Sequence, residues 1–146
     1  MNRPDNSTTY HSRRLEGILI LLVEDEPDIA DLLTFILHDE RANVIAVDQA
    51  EAALILLDTL RPHLLLCNVK LPQRDGDWLV RQVRTHQSPQ VQHLPAIAVS
   101  SYMRDVAENA MIDAGFDYFL PKPFDSDELV LTILSLTNTL NPSQLA

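Results

Sequence analysis

Short apolar runs, each too short for a helix, alternate along this chain with longer segments of helical period, and that alternation limits the fold more than any other feature. Ile18 to Val23, Val44 to Val47, Leu64 to Cys67, Ala96 to Val99 and Tyr118 to Leu120 read as strands. The segments between them are long enough to cross back over a sheet, so the expected architecture is α/β: a doubly wound, five-stranded parallel sheet flanked by five helices. Leu64-Leu65-Leu66-Cys67 is apolar at every position, as a central strand covered on both faces must be.

The helical segments carry their own signals. After Pro27, suited to a first turn, Ile29, Leu32, Leu33, Phe35, Ile36 and Leu37 fall mostly on one face, and Asp28, Asp31 and Asp39 face water. Asp48 with Glu51 predicts a capping box opening a helix that runs through Leu60, and Asp125 with Glu128 predicts another for a last helix reaching Leu140. A helix is expected from Trp78 to about Thr85, with His86 to Leu94 as a polar loop. Val106, Ala110, Met111 and Ala114 line one face of a further helix, which Gly115 stops.

Composition excludes several function classes. With 11 basic against 21 acidic residues among 146, the net charge of −10 repels phosphate backbones and anionic headgroups, and no basic patch offsets it. A single cysteine excludes a disulfide framework or a thiolate zinc cluster, and the five histidines, His11, His38, His63, His86 and His93, show no ligand spacing. Gly17, Gly76 and Gly115 are too scattered for a phosphate-binding loop. No apolar stretch reaches the roughly 18 residues of a membrane span, and the first fourteen residues are polar. The expectation is a cytoplasmic protein that binds neither nucleic acid nor membrane, with a flexible tail at 1–15, one domain at 16–140 and a second tail at 141–146.

Ligands of doubly wound sheets bind beyond the carboxyl ends of the strands. Those ends gather Glu24, Asp25, Asn68, Ser100 and Lys122 from distant parts of the chain. The segments that carry them, LLVEDEP, LLLCNVKLPQRDGDW, PAIAVSS and AGFDYFLPKPFD, stand in an order that resembles the receiver domains of two-component response regulators from Ile18 to about Leu136. The resemblance implies a flavodoxin-like receiver fold that accepts a phosphoryl group on an aspartate, from a histidine kinase or a small phosphodonor. It implies Mg²⁺ on the acidic pair Glu24 and Asp25, a phosphoryl-bridging lysine at Lys122 with a cis peptide to Pro123, and a phosphoryl-binding hydroxyl at Ser100. Phe119 matches the switch aromatic, although a plain core residue explains it as well. The partner surface would comprise roughly Tyr102 to Ala114, Tyr118 to Leu120 and Asp127 to Leu136, with Tyr102 and Phe119 as switch and interface residues.

One position departs from the pattern. The acceptor should lie four residues before the loop proline, and counting back from Pro72 reaches Asn68. An amide nitrogen is not nucleophilic at neutral pH, so no acyl phosphate forms there and no enzymatic activity is expected. With one carboxylate fewer, any Mg²⁺ site made by Glu24, Asp25 and Asn68 is weak or vestigial. Lys70 either reaches back to balance the acidic pair together with Lys122 or faces solvent. Asn68 is compatible with a naturally atypical receiver acting through protein–protein interaction, or with an active one whose aspartate has been exchanged for asparagine. The partners expected are a histidine kinase or another signalling protein, with a homodimer left open, and no output domain is expected after the last helix. Cys67 reads as a buried, inert thiol and Trp78 as packing.

Overall fold

The computed structural model of the chain describes residues 13–100 and 104–137, with residues 104–107 described by backbone alone. Five strands, β1 (Leu19–Val23), β2 (Asn43–Val47), β3 (Leu64–Asn68), β4 (Ala96–Ser100) and β5 (Tyr118–Pro121), form one sheet in the order β2-β1-β3-β4-β5. Every pairing is parallel, and the registers bring the strand ends level: Val23 lies beside Val47 and Cys67, Asn68 beside Val99, and Ser100 beside Pro121. The helices are α1 (Pro27–Asp39), α2 (Ala50–Leu56), α3 (Gly76–Arg84), α4 (Pro89–Gln92), α5 (Arg104–Ala114) and α6 (Ser126–Thr137).

Strand residues alternate between two cores, as a pleat of period two requires. Leu21, Leu65, Cys67 and Ala98 join the core that contains residues of α2, α3 and α5. Ile20, Leu22, Leu64, Leu66, Ile97 and Leu120 join the other, with Leu33 and Leu37 of α1 and Leu129, Val130 and Ile133 of α6. Each fully buried leucine or isoleucine contributes about 1.5–3 kcal/mol of transfer free energy, so the central strands anchor the domain.

Several expectations need correction. The helices number six among the described residues, because the segment expected as a loop contains the single turn α4, with Pro89 at its start. The predicted capping box at Asp48 does not form. Gln49 holds the cap position without a side-chain bond, and α2 ends at Leu56 rather than Leu60. Of the box at Asp125 one half is seen, the Asp125 carboxylate accepting the Glu128 backbone N–H at 2.6 Å.

On α1 the apolar stripe is wider than the contact. Ile29, Leu33, Ile36 and Leu37 pack against the core, whereas Leu32 and Phe35 stay 55% and 69% exposed. Ala110 is likewise exposed beside buried Met111 and Ala114. The packed body also begins before residue 16: Leu15 is fully buried, its N–H donates to the Glu40 carbonyl, and Arg14 pairs with the Glu40 carboxylate at 2.8 Å. Tyr102, the side chain of Val106 and the end of the last helix beyond Thr137 lie outside the described residues.

Candidate functional site

Glu24 follows β1 directly, Asn68 and Ser100 are the last residues of β3 and β4, and Lys122 follows β5. The parallel registers therefore place these residues along one rim of the sheet. Glu24 is 3% exposed and Ser100 2%, while Asp25, Asn68 and Lys122 are half-buried. The Lys122 backbone N–H donates to the Ser100 carbonyl at 2.8 Å, and the Lys122–Pro123 peptide is cis, as the resemblance implied.

Glu24 is the centre of the polar contacts. Its Oε2 accepts the Glu26 backbone N–H at 3.1 Å and the Asn68 Nδ2 amide at 3.2 Å. Burial pushes the carboxyl above its ordinary pKa, and the neighbouring Asp25 pushes in the same direction. The Glu26 N–H, the Lys122 charge and the Asn68 amide oppose that rise but do not cancel it.

A stability prediction follows from the sign of this shift. A carboxyl whose folded pKa lies above its unfolded value binds its proton more tightly in the fold, so its contribution is complete below the unfolded pKa, near 4.3, and is lost as pH rises through the folded pKa. Glu24→Gln carries no such charge. The variant is expected to melt a few degrees above wild type at neutral pH, with the gap narrowing as pH falls through the folded pKa and closed below about 4.3, which thermal melts across pH will measure. Equal melting temperatures at pH 7 would refute the burial argument.

The loop after β3 is held in detail. Leu71 N–H donates to Asp75 Oδ1 at 3.1 Å, Gln73 adopts φ 68°, and the Gly76 N–H returns to the Val69 carbonyl at 2.8 Å. A Cβ on Gly76 would stand 2.7 Å from the Asn68 backbone oxygen, so only glycine lets α3 begin this close to the strand end. Sequence reasoning passed over this residue; its one signal was a glycine opening a helix directly after the strand-end loop. Lys70 does not reach the acidic pair. Its ammonium lies 3.8 Å from Asp75, and the side chain is largely exposed. Arg74 stacks over the Trp78 ring at 4.9 Å and approaches Glu51 at 3.8 Å, while Trp78 itself packs on the core as expected. Cys67 is buried, and burial drives its thiol far above the ordinary range, so it stays protonated. Phe119 is buried in the same core.

A parallel sheet in this order, with an acidic pair after β1 and a lysine–cis-proline step after β5, is a doubly wound α/β fold whose candidate site sits at the strand ends. The chain belongs to the response regulator receiver domain family, whose pattern matches residues 20–134. It is 42% identical over 111 residues to a 14.6 kDa protein of the sodA1 3′ region of Leptolyngbya boryana, covering 76% of this chain and 83% of that one. It is 36% identical over 118 residues to the transcriptional regulatory protein CpxR of Escherichia coli K12, covering 80% of this chain and 48% of CpxR. This chain thus spans about half the length of that regulator. Among solved structures, the receiver domain of the sensor histidine kinase PA1611 from Pseudomonas aeruginosa, with a magnesium ion in its active-site cleft, superposes with a TM-score of 0.78 at 25% identity, covering 84% of this chain and 99% of that one. Receiver domains of this kind are signalling modules of two-component phosphorelays. No helix among the described residues is long and apolar enough to cross a membrane.

The cation implied by the family is poorly matched here. Among the described residues no group of three or more acidic, histidine or cysteine side chains could hold a metal, and Asn68 turns a donor toward the carboxylate that would have to ligate it. Of the residues to which the resemblance gave the cation, Glu24 and Asp25 are the two carboxylates.

Proposed function

We propose that this domain is an atypical receiver in which Asn68 stands at the phosphoacceptor position, so that it signals through protein–protein contact rather than through an aspartyl phosphate. The observation that carries this reading is the placement of Asn68 as the last residue of β3, with its amide hydrogen-bonded to Glu24. An amide has no free anionic oxygen to attack phosphorus, and its nitrogen is committed to that bond. The partners are a histidine kinase or another signalling protein of the cytoplasm, a second copy of the domain included, and neither nucleic acid nor membrane. The interface is the α5–β5–α6 side, including Tyr102, within a domain extending to about residue 140.

A second reading is an active receiver whose aspartate has been exchanged for asparagine. The cis Lys122–Pro123 step and the buried Ser100, both of which serve phosphoryl chemistry in the family, favour it. Incubation of the wild-type chain with acetyl phosphate and Mg²⁺ tests the first reading: the expected result is no hydroxylamine-labile phosphate. Stoichiometric labelling of wild type would sink it, because another residue would then be accepting the group.

A further inference from the structure

We propose that the Asn68 amide does the work of the divalent cation, holding the ends of β1 and β3 together and closing the cleft to Mg²⁺. The proposal rests on the functional reading only in locating the cation's place at these strand ends. Mg²⁺ takes oxygen ligands in near-octahedral geometry and sheds water reluctantly, so every ligand oxygen must be free to turn inward. Here Glu24 Oε2 already accepts two N–H donors, one from the Glu26 backbone and one from Asn68.

The orientation of the amide is fixed by chemistry. With Glu24 ionised, the opposite orientation would set the Asn68 carbonyl oxygen against a carboxylate oxygen at about 3 Å with no proton between them. Admitting an ion therefore requires Asn68 to rotate, break its bond to Glu24 and present its oxygen, while the ion gains a neutral ligand in place of a carboxylate. Lys122 adds to this penalty, because it is close enough to act on Glu24 and repels a second cation. The loop offers no compensation. Lys70 and Asp75 are engaged with each other, and Asp75 also holds the Leu71 N–H. The backbone around Asn68 is closely bounded by the start of α3, where a Cβ on Gly76 would stand 2.7 Å from the Asn68 carbonyl oxygen. Beyond the backbone ladder that pairs β1 with β3, the strand ends are tied by a hydrogen bond that is neutral on one side and needs no metal.

The test uses the full chain labelled with ¹⁵N and titrated with MgCl₂, with the Asn68 side-chain amide and the Val69 backbone amide as probes. In wild type both signals are expected to stay in place up to about 10 mM ion, whereas in Asn68→Asp the Val69 signal shifts saturably at concentrations at least about tenfold lower. In Glu24→Gln without metal, the Asn68 side-chain signal should move, because its acceptor has changed from a carboxylate to an amide oxygen. Saturable Mg²⁺ shifts in wild type at the concentrations that saturate Asn68→Asp would overturn the proposal. So would an Asn68→Asp chain that remains blind to Mg²⁺, or an Asn68 amide indifferent to Glu24→Gln. Labelling of wild type by acetyl phosphate is a separate measurement and bears on the functional reading alone.

Discussion

Asn68→Asp, mixed with acetyl phosphate and Mg²⁺, is expected to acquire a hydroxylamine-labile phosphoryl group, and wild type is expected to acquire none. The new carboxylate oxygen forms a bond to phosphorus as the bond to the acetyl oxygen breaks and acetate leaves, a displacement for which the amide has no nucleophilic oxygen. Ser100 and Lys122 already stand at the ends of β4 and β5, so the substitution supplies the missing nucleophile without rebuilding the rim.

The same change has a cost. Asn68 donates to Glu24 at 3.2 Å, and replacing that donor with a second anion turns an attraction into a repulsion of about 4 kcal/mol for charges 4 Å apart at an effective dielectric of 20. The variant should therefore melt well below wild type in chelator and recover with Mg²⁺. Phosphotransfer assays and thermal melts on the same preparation check both halves. A variant that folds, binds Mg²⁺ and still takes no label would mean that the cleft has lost more than its nucleophile.

The second large effect lies far from the rim. Arg84, at the end of α3, donates to the carbonyls of Gly115, Gln92 and Leu94 at 2.8, 2.9 and 2.7 Å and pairs with Asp117 at 2.9 Å. Asp117 in turn accepts the Ala96 N–H that opens β4. One guanidinium thus satisfies the open carbonyls where α4 and α5 end, and Gly115, at φ 129°, leaves room for its stem: a Cβ there would meet Arg84 Cγ at 2.8 Å.

Arg84→Ala strips several part-buried carbonyls of their donor and is expected to destabilise the domain by about 3 kcal/mol. For a domain of this size that lowers the melting temperature by roughly 10 °C. Arg84→Lys should recover little, because a single ammonium on a flexible stem cannot span carbonyls arranged for a planar fork. Denaturant melts of the two variants decide the matter, and a loss below about 1 kcal/mol for Arg84→Ala would show that water replaces the guanidinium.

What could be read from the residues in advance was whatever depends on local pattern. The strands were visible because Leu64 to Cys67 and Ala96 to Val99 are unbroken apolar runs, and the rim residues were visible because parallel topology dictates which strand ends meet. Contacts set by tertiary geometry were not visible. Periodicity could not say that α1 would leave Leu32 and Phe35 in solvent, because stripe width does not reveal how much of a stripe the sheet covers. Nor could spacing show that Asp48 would lose the cap position to Gln49, or that Lys70 would pair with Asp75 instead of the acidic pair. Arg84 carried no signal as a charge at a helix end, since its acceptors come from segments up to 33 residues away.

The close contact at Gly76 has a mechanical consequence. With its N–H bonded to Val69 and no space for a side chain against the Asn68 carbonyl, the first turn of α3 is seated directly against the end of β3. A protein that grips the outer side of α3 near Trp78 would hold the element seated against Asn68, and a shift of that helix is expected to be felt at the Asn68–Glu24 bond. By linkage, anything that reorganises the rim changes the affinity of such a partner by the same factor. On the proposed reading, in which Asn68 takes no phosphoryl group, this seating offers a path between the strand ends and the surface along which a partner would act as the input.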